Sequence, residues 1–269
     1  MIRVEEFQEF RPVLVSLAYR ILGSVSDAED AVQESWLRYE ASAAEPASPR
    51  AYLSTLVTRI SIDVLRSARV RREEYIGLWF PEPLLDDPYE DPERSAELAD
   101  SVSMAALLLL ERLTPLERAV FVLREVFAFR FPEIAAVVRR SETACRQLAV
   151  RARRHMDEGR PRFKAGHKER AALAERFFDA FREGDVDGLR DLLAADVLLD
   201  GDDRGKEPFL AGRIREAQDA TGALAQLALQ LGKRGIVAEP HDINGQPGAV
   251  FHDRDGRVLS TMMLEVRNG

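Results

Sequence analysis

Phe7, Phe10, Leu14, Leu17 and Ile21 follow one another in steps of three and four, which gathers them into one apolar stripe on a helix. Gly23 supplies the stop. Ser26, with Glu29 three positions on, reads as a capping box that opens a second helix through about residue 39. Ser48-Pro49 is another start signal, an N-cap followed by proline at the first helical position. The third helix is expected to bury Leu53, Leu56, Val57, Ile60 and Val64, and to carry Arg59, Asp63 and Arg66 on its other face.

The periodicity then fails. Residues 73–100 hold Pro81, Pro83, Pro88 and Pro92 among many acids, and read as an irregular linker. Helical pattern returns near Ser101. Thr114-Pro115-Leu116-Glu117 combines an N-cap, an N1 proline and an N3 glutamate, the strongest helix start in the chain. A short helix over 132–138, a turn at Arg139-Arg140-Ser141 and a longer helix to about Met156 make a helix-turn-helix. Composition shifts again at Gly159, Pro161 and Gly166. Beyond lie an amphipathic helix (Leu173, Phe177, Phe181), a capped helix running into a strand in EGDVDGLRDLLAADVLL, and a helical stretch near 212–230. Asn244-Gly245 precedes the apolar run 248–252 and Asp255-Gly256 separates that run from 258–266, both as hairpin turns. The last part of the chain is thus expected to be a separate α+β module.

A chain of 269 residues suits two or three small domains, and 46% hydrophobic with 31% charged residues favours packed cores over disorder. The net charge of −8 argues against a nucleic-acid partner until its distribution is read. Residues 50–72 hold six arginines against one aspartate, +5, and residues 139–154 six arginines against one glutamate, again +5. Between them, residues 73–100 hold ten acids against one arginine, −9. The single cysteine, Cys145, excludes an internal disulfide framework and a cysteine-rich zinc site. The histidines at 155, 167, 241 and 252 have no ligand spacing, so no metal or other cofactor is expected. Charges throughout residues 1–20 and the lack of a long apolar run point to a soluble, cytoplasmic protein without a membrane partner.

Two basic helices, one of them closing a helix-turn-helix, favour DNA as the partner. In that motif the second helix enters the major groove with its N-terminal residues against base edges. Here those are Ser141, Glu142, Thr143, Arg146 and Gln147. Arginine suits bidentate contact with guanine, and glutamine with adenine. Arg151, Arg153 and Arg154 lie further along and suit phosphate. Cys145 falls on the inward face with Ala144, Leu148 and Ala152, as a packing residue. A repressor or activator acting without polymerase would fit this much.

DAEDAVQESWLRYEAS followed by SPRAYLSTLVTRISIDVLRSARVRRE closely resembles conserved region 2 of the extracytoplasmic-function sigma factors. LERLTPLERAVFVLREVFAFRFPEIAAVVRRSETACRQLAVRARRH resembles their region 4, and YIGLWFPEPL with FFDAFREGDVDGLRDLLAADVLLDG resembles the subgroup carrying a fused SnoaL-like domain. The resemblance implies a multidomain fold: two all-α sigma domains (region 2 over 1–72, region 4 over 101–160), an acidic linker over 73–100, and a SnoaL-like α+β cone over 168–269. The implied function is that of an alternative sigma factor, which binds core RNA polymerase and directs promoter-specific initiation at minus-10 and minus-35 elements.

By the same resemblance, Asp30, Gln33, Glu34 and Trp36 match the helix that docks on polymerase, although Trp36 would equally serve as core. Arg59, Asp63, Arg66, Arg69, Arg71 and Arg72 match the part that holds the melted minus-10 strand, where single-stranded bases need a basic groove. Asp63 at i,i+4 from Arg59 would alternatively be its ion-pair partner. Trp79, Phe80, Pro81, Glu82 and Pro83 carry exposed rings within an acidic linker, which need a surface to bury against. The resemblance points to the fused C-terminal domain as that surface, standing in place of a separate anti-sigma protein; the acidic run would alternatively occupy a basic polymerase channel ahead of RNA. Asp196, Asp200, Asp202, Asp203 and His241 are conceivable acid/base groups of a fused enzyme, but they show no acid/base pairing and no catalytic residue is assigned. DGDDRGK departs from the glycine-rich segment usual here, whereas NGQPG conforms. The subgroup usually continues beyond the Asn268-Gly269 that closes this chain.

Overall fold

Three helices, α1 (Val4–Leu22), α2 (Val25–Glu40) and α3 (Pro49–Arg72), pack on one another in the computed structural model. It describes residues 4–42, 46–72, 80–85, 103–159, 167–194, 197–201 and 212–266. Most of the α1 stripe is buried as its spacing predicts, with Leu14, Leu17 and Ile21 fully enclosed and Phe10 half-buried, and Gly23 ends it at a φ of 73°. The cap of α2 is Ser24 rather than the expected Ser26: the Asp27 amide donates to Ser24 Oγ at 3.1 Å. Two serines two residues apart offer the same signal, and the positive φ at Gly23 delivers the chain to the first.

Helix α3 buries more than one stripe. Leu53, Val57 and Ile60 are buried as expected, whereas Leu56 and Val64 are only half-buried. Ser54, Thr58, Ser61 and Leu65 are enclosed as well, because α3 meets α1 and α2 and also the helices that follow the linker.

Those are α4 (Met104–Leu110), α5 (Pro115–Phe121) running into a π-helical turn (Val122–Val126), α6 (Phe131–Val138) and α7 (Glu142–Gly159). The capping box at α5 forms in full. Glu117 Oε2 accepts from the Thr114 amide at 3.1 Å and hydroxyl at 2.7 Å, and the Glu117 amide donates to Thr114 Oγ1 at 3.3 Å. Glu117 Oε1 also accepts from Arg151 Nε at 2.8 Å, which ties α7 to the start of α5. Burial alone would push this carboxyl up, but the hydrogen bonds from Arg151 and Thr114 outweigh it and hold the group below the usual carboxylate range.

Helices α8 (His167–Glu183), α9 (Val186–Leu192) and α10 (Ala217–Arg234) pack with a three-stranded antiparallel sheet in the order β3-β4-β5. In chain order the strands are β1 (Leu199–Gly201), β2 (Gly212–Ile214), β3 (Val237–Ile243), β4 (Gln246–His252) and β5 (Val258–Met263). β1 and β2 form a separate antiparallel pair. β2 occupies the start of a stretch whose pattern suggested helix; the helix itself begins at Ala217. Phe177, Phe178 and Phe181 of α8 meet Leu224 and Leu227 of α10 and Phe251 of β4 in one core. The Asn-Gly turn forms between β3 and β4, with φ of 54° at Asn244 and 66° at Gly245, the type I′ signature. Gly248 allows β5 to close on β4, since a Cβ there would sit 2.5 Å from the Met262 carbonyl oxygen.

The chain divides into two units, Met1–Ile76 with Asp86–Arg160, and Gly77–Leu85 with Pro161–Gly269. Part of the linker therefore folds with the C-terminal module. Among the described residues no helix is long and apolar enough to cross a membrane.

Candidate nucleic-acid interface

Arg139, at a φ of 54°, ends α6 in the left-handed conformation, and Ser141 caps α7 by accepting from the Ala144 amide at 3.2 Å. This turn presents the start of α7. Ser141, Thr143, Arg146 and Gln147 are exposed and Glu142 is half-buried. Arg146 Nη2 donates to Glu142 Oε2 at 3.1 Å, and its guanidinium carbon lies 5.0 Å from the centroid of the Phe131 ring. Arg124 lies 5.0 Å from that same centroid and donates to the Phe129 carbonyl at 3.0 Å. The opposite face of α7 is packed: Cys145, Leu148, Ala149 and Ala152 are buried. Burial, with the Glu142 charge, pushes the Cys145 thiol up.

The arginines farther along α7 already have carboxylate partners. Arg151 pairs with Glu117 and Arg153 with Glu125, each at 2.8 Å, while both remain largely exposed; Arg154 is exposed too. A phosphate would have to compete with these pairs: the more exposed Arg153–Glu125 pair exchanges readily, whereas the Glu117 carboxylate is buried and holds Arg151 more firmly.

Helix α3 differs. Arg59 is half-buried, its Nε donating to the Val137 carbonyl at 2.9 Å and its Nη2 to the Ala136 carbonyl at 2.8 Å, at the C-terminal end of α6. A cation there meets the unsatisfied carbonyls and negative pole of the helix. Burial and the nearby charge of Arg139 lower the Arg59 pKa, the expected cost of enclosing a cation. Arg59 thus reaches α6 rather than Asp63, whose carboxylate lies 3.5 Å from Arg66 Nη1. Arg69, Arg71 and Arg72 stand on the last turns of α3, and their side chains lie outside the described residues.

Two arginines that sequence reasoning missed reinforce this closure. Arg118 of α5, almost fully buried, donates from Nε to the Arg20 carbonyl at 3.1 Å and pairs with Glu111. Arg20 of α1 is buried too, its guanidinium 5.9 Å from the Phe127 ring. The only signal in the sequence was an arginine within an otherwise apolar run, between Tyr19 and Ile21.

On α2, Asp30 and Gln33 are exposed, and Glu34 is half-buried and pairs with Arg38 at 2.8 Å. Trp36 is half-buried, its ring 4.5 Å from Phe7 and 6.0 Å from Tyr39.

In the linker, Phe80 and Glu82 are half-buried, Pro81 is buried and Pro83 exposed; Trp79 lies outside the described residues. The polar grip comes two residues later. The Leu84 amide donates to Asn244 Oδ1 at 2.9 Å, and the Asn244 amide donates to the Leu84 carbonyl at 2.8 Å. His241 Nε2 lies 3.1 Å from the Leu85 carbonyl and donates to it when Nε2 carries the proton. The Asn-Gly turn therefore both closes the hairpin and holds the linker. Its second role left no mark in the local pattern.

The family described as Sigma-70 region 2 matches residues 7–71, and that described as Sigma-70, region 4 matches residues 103–156. The ECF RNA polymerase sigma factor SigJ of Mycobacterium tuberculosis (strain ATCC 25618 / H37Rv) is 40% identical over 250 residues, covering 91% of this chain and 80% of the relative. The chain belongs to the extracytoplasmic-function sigma factors. Within that family, SigG of Mycobacterium tuberculosis (strain CDC 1551 / Oshkosh) is 30% identical over 288 residues, covering 96% of this chain and 75% of the relative. The crystal structure of Mycobacterium tuberculosis SigJ superposes with a TM-score of 0.73 at 34% identity, covering 99% of this chain and 92% of that one. As an extracytoplasmic-function sigma factor, the chain directs promoter-specific transcription initiation. Region 2 is α1–α3, region 4 contains the helix-turn-helix, and the C-terminal α+β module is SnoaL-like.

Proposed function

We propose that the free chain is a closed sigma factor, with residues 1–72 and 101–160 as its two DNA-binding domains, and that core RNA polymerase must separate α3 from α6 before a promoter is read. The hydrogen bonds from Arg59 to the end of α6 carry this reading. A minus-10 and a minus-35 element stand about 25 base pairs apart, on the order of 80 Å at about 3.4 Å per step. Helices in hydrogen-bonding contact cannot reach both. On opening, Arg59 exchanges α6 carbonyls for the melted minus-10 strand, beside Asp63, Arg66, Arg69, Arg71 and Arg72. Asp30, Gln33, Glu34 and Trp36 of α2 dock on polymerase. Ser141, Glu142, Thr143, Arg146 and Gln147 face minus-35 bases, Arg153 exchanges its carboxylate for phosphate, and Arg151 and Arg154 add positive charge toward the same backbone.

The SnoaL-like domain, over 168–269, acts as a cytoplasmic regulator rather than an enzyme, in place of a separate anti-sigma protein. Its grip on the linker at Leu84 and Leu85 supports this role, because tethering gives the module a high effective concentration at the sigma core. Run-off transcription with purified core polymerase, paired with duplex binding by the free chain, tests the whole reading. Promoter-specific transcripts should appear only with core polymerase, and the free chain should bind the same duplex weakly. Tight, sequence-specific binding without polymerase would favour a repressor.

A further inference from the structure

Two guanidinium groups share one aromatic ring at the edge of the helix-turn-helix. Arg124, in the π-helical turn, and Arg146, on α7, each lie 5.0 Å from the centroid of Phe131, the first residue of α6. Two cations on one ring repel each other, so the arrangement needs further anchors. Arg124 has the Phe129 carbonyl at 3.0 Å, and Arg146 has the Glu142 carboxylate at 3.1 Å. The Glu142 bond uses Nη2 of Arg146, and the guanidinium has other N–H donors. The Arg146 side chain stays 56% exposed, so these donors are open to a base edge while the group is already held in place.

From this geometry we infer that Phe131 is a positioning residue for promoter specificity: it fixes Arg146 before DNA arrives. An arginine free in solution must be immobilised on binding, and the rotamer freedom it loses opposes the contact. A ring that already restrains the guanidinium lowers that cost for the one geometry that fits the base. Non-specific phosphate contact, which tolerates many geometries, gains far less. The predicted signature is a loss of base discrimination at one promoter position with little change elsewhere. The inference rests on Arg146 reading a minus-35 base.

The test uses the full chain with core RNA polymerase on a promoter library randomised across the upstream element, scored by run-off transcription and sequencing. R146A should flatten the preference at one base. F131L should weaken discrimination at that same base about two- to fivefold, the range of an exposed cation–π contact. F131Y, which keeps the ring, should restore the profile, and F131L added to R146A should change nothing further. An F131L that lowers output evenly across the library with its profile intact overturns the inference while leaving the Arg146 reading standing. An R146A that leaves every base preference unchanged overturns both. A second measurement does not depend on F131L folding. In the labelled wild-type chain, the Arg146 Nε–H should be ring-current shifted and motionally restricted compared with the exposed Arg112. An Arg146 as mobile as Arg112 would reject the role.

Discussion

Residues 50–72 and 139–154 carry the same net charge of +5, yet α3 turns Arg59 against the end of α6 while α7 leaves Arg146 at the surface. The difference comes from how many neighbours each helix has. α7 packs one face on α4, α5 and α6 and leaves the other to solvent. α3 meets α1 and α2 on one side and α5 and α6 on the other, so a residue on its apparently free face becomes part of an interface. Charge density alone marks both helices as candidates for an anionic partner. On the proposed reading, tertiary packing leaves α7 ready for it and requires α3 to be released first.

The largest expected effect comes from breaking the inward-facing side of that contrast. R59A removes two charge-assisted hydrogen bonds, each worth about 1.5–3 kcal/mol when made to a charged group. It should increase hydrogen exchange and protease access at the α3–α6 contact of the free chain, and reduce open-complex formation with polymerase. An unchanged exchange pattern would mean that Arg59 does not hold the closed form.

The outward-facing side predicts a different pair of outcomes. R146A should cost about 1–3 kcal/mol at one promoter base. R153A should weaken binding to all sequences and flatten the salt dependence by about one unit of slope. Equal losses across a promoter library from both variants would erase the distinction between base and phosphate contacts.

A change remote from both helices asks whether the contrast depends on the C-terminal module. N244A removes the acceptor for the Leu84 amide and places alanine at a φ of 54°, together about 1–2 kcal/mol. N244G relieves the backbone and still lacks the acceptor, so it separates turn strain from linker release. Altered promoter output with N244G, at unchanged thermal stability, would assign regulation to the linker grip. Output equal to that of the wild type would remove it.

The smallest effect tests the frame that supports α7. T114A should lower stability by about 1 kcal/mol through loss of the cap on α5. Glu117 adds a pH dependence. Its folded-state pKa is lowered, so its contribution is present above the usual carboxylate range and is lost as pH falls through the folded value. E117Q should flatten the acid side of the thermal-stability profile; a profile identical to that of the wild type would contradict the assigned ion pair with Arg151.

The local signals for these elements were strong wherever the physics is local. The Thr114-Pro115-Leu116-Glu117 cap, the stripe ending at Gly23 and the turn at Asn244-Gly245 all form as their chemistry dictates. Region 2, region 4 and the SnoaL-like module were legible because long ordered stretches resemble a known family. What stayed hidden depends on contacts distant in sequence. Arg59 meets residues 77 and 78 positions away, and Leu84 meets Asn244 across 160. No periodicity records such a meeting. Arg20 and Arg118 were hidden for a related reason: a buried arginine looks like any other in sequence until its carbonyl partner and aromatic neighbour are brought to it.

The most direct test of the closed free state is a distance measured before and after polymerase binds. Spin labels at S67C on α3 and A136C on α6, both exposed positions, with C145A to remove the native thiol, report on the contact that Arg59 makes. Pulsed dipolar spectroscopy of the free chain should give one short distance. The same pair in the promoter-bound complex with core polymerase should lengthen by tens of ångströms, approaching the order of 80 Å set by about 25 base pairs. The same short distance in both states would contradict the account.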